Sequence, residues 1–272
     1  MRRWSLPHCS ARLLLAASML GALAQACTQV GTDPNAAVAI ELIAPESPSV
    51  VLGDTLRDSS GTAVPLVARA FNSRNVQIPS PRLTFITRDT TRNATVDSLT
   101  GFVIGRKLGD VTIFANVGNL PSAPIVVHVV PRPDELIPAD SVRDALSVIG
   151  ALDATGRPLQ VKLRADTTPL VSTDSLIPVQ NYLVRFRIVA PAGLERNADT
   201  TRLVLVNDLG RPSLLDTTDA LGIASRRLRI SAAVPRSAIP DSVTVESSAR
   251  RPDGSPVPGS PIVFTTRLVR SP

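Results

Sequence analysis

From Ala37 onward, apolar side chains recur at every second position in short bursts, and proline, glycine, asparagine and aspartate separate the bursts. Such alternation turns one face of an extended chain towards a core and the other towards water, so it predicts strands. Val38, Ile40 and Leu42 share a face, and Val50-Val51-Leu52 follows Pro45 and Pro48 and ends at Gly53-Asp54. Leu66, Ala68 and Ala70 are expected to point inward with Arg69 outward. Leu83 and Phe85 mark a strand after Pro79 and Pro81, and Val96 leads through a turn at Gly101 to Phe102 and Ile104. Val111, Ile113 and Ala115 come next, and the stretch from Pro124 to Val130 closes the series. About seven strands over residues 37–131 fit one β-sandwich.

Residues 132–139 open with Pro131-Arg132-Pro133-Asp134-Glu135 at their border and read as a stiff polar linker to a second unit, 140–270. Ser141 to Ile149 fits a short helix through Val142, Leu146 and Ile149, and equally a strand through Leu146 and Val148. Asp153-Ala154-Thr155-Gly156-Arg157-Pro158 reads as a turn, and 160–182, rich in Thr, Ser, Asp and Pro, as an inserted loop. Val184, Phe186 and Ile188 alternate with Arg185 and Arg187 up to Pro191. Leu203 to Val206, Ile223 to Ile230, Val243 with Val245, and Ile262 with Phe264 supply further strands, and Asp219 to Gly222 lies in a turn.

Composition supports an all-β fold. Aromatic residues are only 3% of the chain, so the cores must be built from Val, Leu, Ile and Ala. Branched side chains of this kind pack well on pleated sheets. The 24 prolines argue against helix interiors. The formal charge of +6 overstates the basicity of the body, because residues 1–26 contribute Arg2, Arg3 and Arg12 and no acid. The other arginines are scattered on outward strand positions without interleaved aromatics, which excludes a nucleic-acid stripe as the expected surface.

The first residues form an export signal. Arg2, Arg3 and Arg12 precede an apolar core from Leu13 to Ala24, which is too short for the roughly 20 residues of a membrane span. Ala24-Gln25-Ala26 supplies the small residues of a cleavage site, so 1–26 is expected to be removed. Leu23-Ala24-Gln25-Ala26-Cys27 resembles the lipobox of bacterial lipoproteins, with the leucine one place further from the cysteine than usual and Gln25 where Ala or Ser is common. The resemblance implies lipid attachment at Cys27, residues 27–36 as a tether and, with Thr28 following, the outer membrane as the site. It would also remove an odd thiol, since Cys9 is the only other cysteine and lies in the leader. The alternative is plain secretion after Ala26.

Two further resemblances carry the fold class. The stretch from Ala94 to Ile113, with Val96-Asp97, Gly101, Gly105 and Gly109, is similar to the group 2 bacterial immunoglobulin-like domain of intimin-type surface proteins, as is Val51-Leu52-Gly53-Asp54. Its three glycines are expected at positive φ. Asp153 to Pro158 and Thr218-Asp219-Ala220-Leu221-Gly222-Ile223-Ala224 resemble two turns of the invasin-like, group 1 domain. Together these imply two immunoglobulin-like sandwiches in tandem behind a signal peptide, in a cell-envelope protein serving as an adhesive, spacer or interaction module.

Catalytic chemistry finds few residues to work with. His128 is the sole histidine beyond the leader and sits in a strand pattern, so zinc sites built on several nitrogen or sulfur ligands are excluded. No nucleophile elbow, P-loop or dinucleotide fingerprint occurs. Asp216 and Asp219, with Asp208 near, could gather for calcium, although aspartates in turns more often accept backbone N–H groups. The six Phe fall in or beside strand patterns and are expected in the core rather than on a sugar-stacking surface. The expectation is a non-enzyme without catalytic residues, cofactor or metal. Its partners would be a membrane through the lipid and a surface protein or polysaccharide.

Overall fold

The computed structural model describes residues 36–149, 153–166, 176–192, 203–231 and 239–271, and among these there is no helix. The signal peptide, Cys27 and nearly all of the tether lie outside the described residues. The N-terminal part contains β1 (Ala39–Ile43), β2 (Ser49–Val51), β3 (Val67–Phe71), β4 (Leu83–Thr87), β5 (Ala94–Val96), β6 (Val103–Gly105), β7 (Gly109–Val117), β8 (Leu120–Pro121) and β9 (Ile125–Val130). The C-terminal part contains β10 (Glu135–Pro138), β11 (Arg143–Ile149), β12 (Ala154–Asp166), β13 (Leu176–Pro178), β14 (Leu183–Ala190), β15 (Leu203–Val206), β16 (Leu215–Thr217), β17 (Ile223–Ile230), β18 (Ser242–Ser248) and β19 (Ile262–Ser271).

The C-terminal part is a sandwich of two five-stranded sheets. One runs β10-β12-β17-β15 with β13 paired to β12, and the other runs β11-β19-β18-β14-β16. Read in the lettering of the immunoglobulin sandwich, these orders are A-B-E-D and A′-G-F-C, with β16 added at the edge beside C. Inward residues of both sheets, including Leu163, Leu228, Phe186 and Phe264, join one buried cluster. Burying a phenylalanine side chain contributes about 2–3 kcal/mol, so the few aromatics are spent at the centre. The N-terminal part repeats the scheme, with A′-G-F-C as β2-β9-β7-β4, and with β1-β3 and β5-β6 as separate pairs opposite. A parallel pair closes the A′ edge in both parts, β2 with β9 and β11 with β19.

Several sequence expectations are corrected. The proposed linker 132–139 is half strand: β10 pairs with β12, and Leu136 is buried in the second core. The ambiguous stretch 141–149 is the strand β11, with Leu146 and Val148 buried. Asp153 to Pro158 does not turn. β12 runs through it, with a register shift between Thr155 and Pro158, the kind of bulge where a strand tolerates proline. The expected insertion begins late, because β12 continues to Asp166 and pairs with β13; residues 167–175 lie outside the described set. Gly101 and Gly109 do have positive φ, but Gly105 does not. Gly105 is needed for close approach instead, since a Cβ there would lie 2.7 Å from the Val51 carbonyl oxygen. Val38 and Phe102 are exposed rather than in the core.

Candidate interaction site at the junction

The residues singled out by sequence fall in separate places. His128 stands on the outer face of β9, with Nδ1 2.6 Å from Asp110 Oδ1 on the neighbouring strand. Asp216 is engaged by a buried arginine. Arg226 points inward from β17 and places its guanidinium 2.9 Å from Asp216 Oδ1, while Asp216 Oδ2 accepts the Ser225 N–H at 2.7 Å. This pair ties β16, in one sheet, to β17, in the other. Asp219 Oδ1 accepts the N–H groups of Leu221 and Ile223 and so closes its own turn. Asp208 is exposed, 3.9 Å from Arg227. The three acids border one shallow depression together with Arg227. No group of three or more His, Cys, Asp or Glu among the described residues could hold a metal ion.

The structure brings together a different set, at the junction of the two parts. Val51 and Val130 leave the N-terminal body and join the C-terminal core. Arg251, from the turn between β18 and β19, donates through Nε to the Pro133 carbonyl at 3.0 Å and through its terminal nitrogen to Asp134 Oδ1 at 2.9 Å. Asp134 in turn accepts the Asp166 N–H, so the chain crossing is fastened to two elements of the C-terminal sandwich.

Two stapled loops meet there. In the first, Arg57 forks onto both carboxylate oxygens of Asp54 at 2.8 and 3.1 Å and donates to the Gly61 carbonyl at 2.8 Å. Burial, the largest single influence, acts to raise the Asp54 pKa, but the Arg57 hydrogen bonds, the Thr55 N–H and the Arg57 charge together hold the carboxyl below its ordinary value. Asp58 is held low by the Ser60 hydroxyl and by backbone N–H donors. In the second loop, Arg250 donates to the Gly254 carbonyl at 3.0 Å, and Asp253 accepts from Ser255. The loops touch: a Cβ on Gly61 would lie 3.9 Å from Gly254 Cα. Tyr182 lies beneath, its hydroxyl donating to the Arg250 carbonyl at 2.5 Å. Burial pushes that hydroxyl far above its ordinary pKa, with the Asp54 charge adding to the effect, so it remains a neutral donor.

Between the loops and the outer face of β14 and β18 lies a cleft of about 480 Å³. Its floor carries Arg185, Arg187, Glu246 and Ser248; Arg187 is paired with Glu246 at 2.8 Å. Arg185 is exposed and has no side-chain partner among the described residues. Sequence reasoning missed this site, because Arg250-Arg251 looks no different from Arg226-Arg227 and only the strand order brings 54–61 beside 250–256.

No family model matches this chain, and no curated protein does. Among solved structures, domains 4 and 5 of the S-layer protein SbsC align at 12% identity and TM-score 0.29, over 85% of this chain and 96% of that one. The adhesin InvE of Yersinia pseudotuberculosis aligns at 17% identity and TM-score 0.27, over 84% of this chain; the chain spans 58% of that structure. The D00-D0 domain of intimin aligns at 12% identity and TM-score 0.26, over 85% of this chain and 99% of that one. Likeness at this level is weak, and the all-β fold stands on its own strand order.

Proposed function

We propose that this chain is a non-enzymatic, exported cell-envelope protein. Its two immunoglobulin-like sandwiches serve as a spacer and as an adhesive or protein-interaction module, and lipid on Cys27 holds it to a membrane, with the outer membrane as the expected site. The fastened junction is the observation that carries this reading. A pair of sandwiches joined by a free linker would wander, whereas Arg251 bound to Pro133 and Asp134, with Val51 and Val130 in the second core, fixes one body on the other. A fixed relative orientation is what a spacer needs to hold a distal surface at a set distance. A soluble secreted or periplasmic module would differ only in its lack of the anchor.

Small-angle X-ray scattering of the purified chain tests the junction. The wild type should fit a single arrangement of the two sandwiches, and Arg251→Ala should broaden the distance distribution. A wild-type curve that requires freely jointed bodies would refute the spacer reading.

A further inference from the structure

We propose that the cleft at the junction binds a carboxylate-bearing oligosaccharide of the uronate class. This inference goes beyond the spacer reading and shares with it only the fixed junction, which the scattering experiment tests separately. The cleft is lined by five arginines against Asp54, Asp58 and Glu246. Arg57, Arg187 and Arg251 are committed to Asp54, Glu246 and Asp134. Arg185 is uncommitted, and Arg250 uses one terminal nitrogen on the Gly254 carbonyl. An unpaired guanidinium offers the planar fork that a carboxylate accepts in bidentate fashion.

The remaining polar lining is hydroxyl, from serines such as Ser47, Ser248 and Ser260 together with Thr55, Ser59 and Tyr182. The Ser49 hydroxyl is enclosed by the protein, without a partner among the described residues, so the more open hydroxyls are the ones a ligand can meet. The volume falls within the range of about 300–1,000 Å³ usual for small-ligand clefts, enough for two or three sugar units.

Two features select the ligand class. The cleft lies over the face of β14 and β18 rather than along a free edge: β18 is paired by β14 and β19, and β14 by β18 and, over Leu183 to Arg185, by β16. That removes the main-chain hydrogen bonding by which extended peptides bind sheets. A neutral sugar would want an aromatic platform, but the Tyr182 ring is packed against the second core and its hydroxyl is already used. Charge must therefore anchor the ligand, with hydroxyls matching hydroxyls around it. Both loops are braced by their own side chains before any ligand arrives, so little ordering is left to be done on binding.

Calorimetric titration of the purified full chain with trigalacturonate tests this. Controls are the neutral trigalactose of the same linkage and tetraglutamate. The wild type should bind trigalacturonate one to one, more weakly as salt is raised, and give no signal with the neutral sugar. Arg185→Gln should weaken binding about tenfold or more. Arg267→Gln, exposed on the same sheet face but outside the cleft, should leave it unchanged. Absence of binding at millimolar trigalacturonate would overturn the proposal, and so would equal losses in the two variants. Tetraglutamate binding as tightly as the uronate would also overturn it, assigning the cleft to acidic peptides.

Discussion

Asp54 shows how one carboxyl can stiffen a loop. Partial burial disfavours its charge, yet the Arg57 fork and the Thr55 N–H together more than compensate and keep its pKa depressed. A carboxyl depressed in the folded state stabilises the protein above its unfolded pKa of about 3.9, and loses that contribution as pH falls through the folded value. Asp54→Asn should therefore be less stable than the wild type by about 1 kcal/mol at neutral pH, given a partly exposed pair. The difference should shrink below about pH 4, as read by urea denaturation at a series of pH values. A constant difference down to about pH 2 would show that the charge pair is not what holds the loop. In sequence, Asp54 was visible as the end of a strand and as part of the Val51-Leu52-Gly53-Asp54 resemblance, but nothing marked Arg57 as its partner. Gly105 was singled out correctly but for a conformational reason, while the structure uses its missing Cβ to let β2 approach. Arg226 was hidden by the rule that arginines in strands face water, a rule it breaks because Asp216 waits at the sandwich edge.

At the scale of elements, alternation was the reliable signal and punctuation the unreliable one. β14 was legible because every second residue is apolar, and β17 because Ala224, Leu228 and Ile230 keep the same beat around the inward Arg226. β12 was divided wrongly, since Gly156 and Pro158 suit a turn and a bulge equally well, and only pairing with β17 decides between them. β10 was read as a linker because its four residues are too few to show a period. It is nevertheless gripped from the other side. The turn before β19 places Gly259 at φ +85 against it, and a Cβ there would lie 2.2 Å from the Leu136 carbonyl oxygen. Gly259→Ala combines a left-handed backbone with a backbone clash, so it should cost about 3 kcal/mol or more. Chemical denaturation measures this, and an unchanged midpoint would mean that the turn does not sit on β10 as described.

For the whole molecule, the all-β class could be read from the chain, but the way the halves lock could not. The junction draws on residues more than a hundred positions apart, such as Arg251 and Asp134, and no local pattern announces such a contact. Anchoring is a separate matter, resting on Leu23 to Cys27. Intact mass from cells fed a labelled fatty acid should give a chain that begins at Cys27 and carries acyl groups. Cys27→Ser should leave the membrane fraction. An unacylated chain beginning at Cys27 would establish secretion instead.

The parallel pairing of β11 with β19 has a mechanical consequence for such a molecule. Seven facing residue pairs, from Arg143 with Thr265 to Ile149 with Ser271, join the second strand of the C-terminal sandwich to its last described one. Because the two strands run the same way, a pull entering before Arg143 and leaving after Ser271 slides one along the other and loads every rung at once. An antiparallel pair pulled from its open end would peel apart rung by rung. Tension along the chain thus meets the second sandwich in its stiffest direction, and the shorter pair of β2 and β9 repeats the geometry in the first.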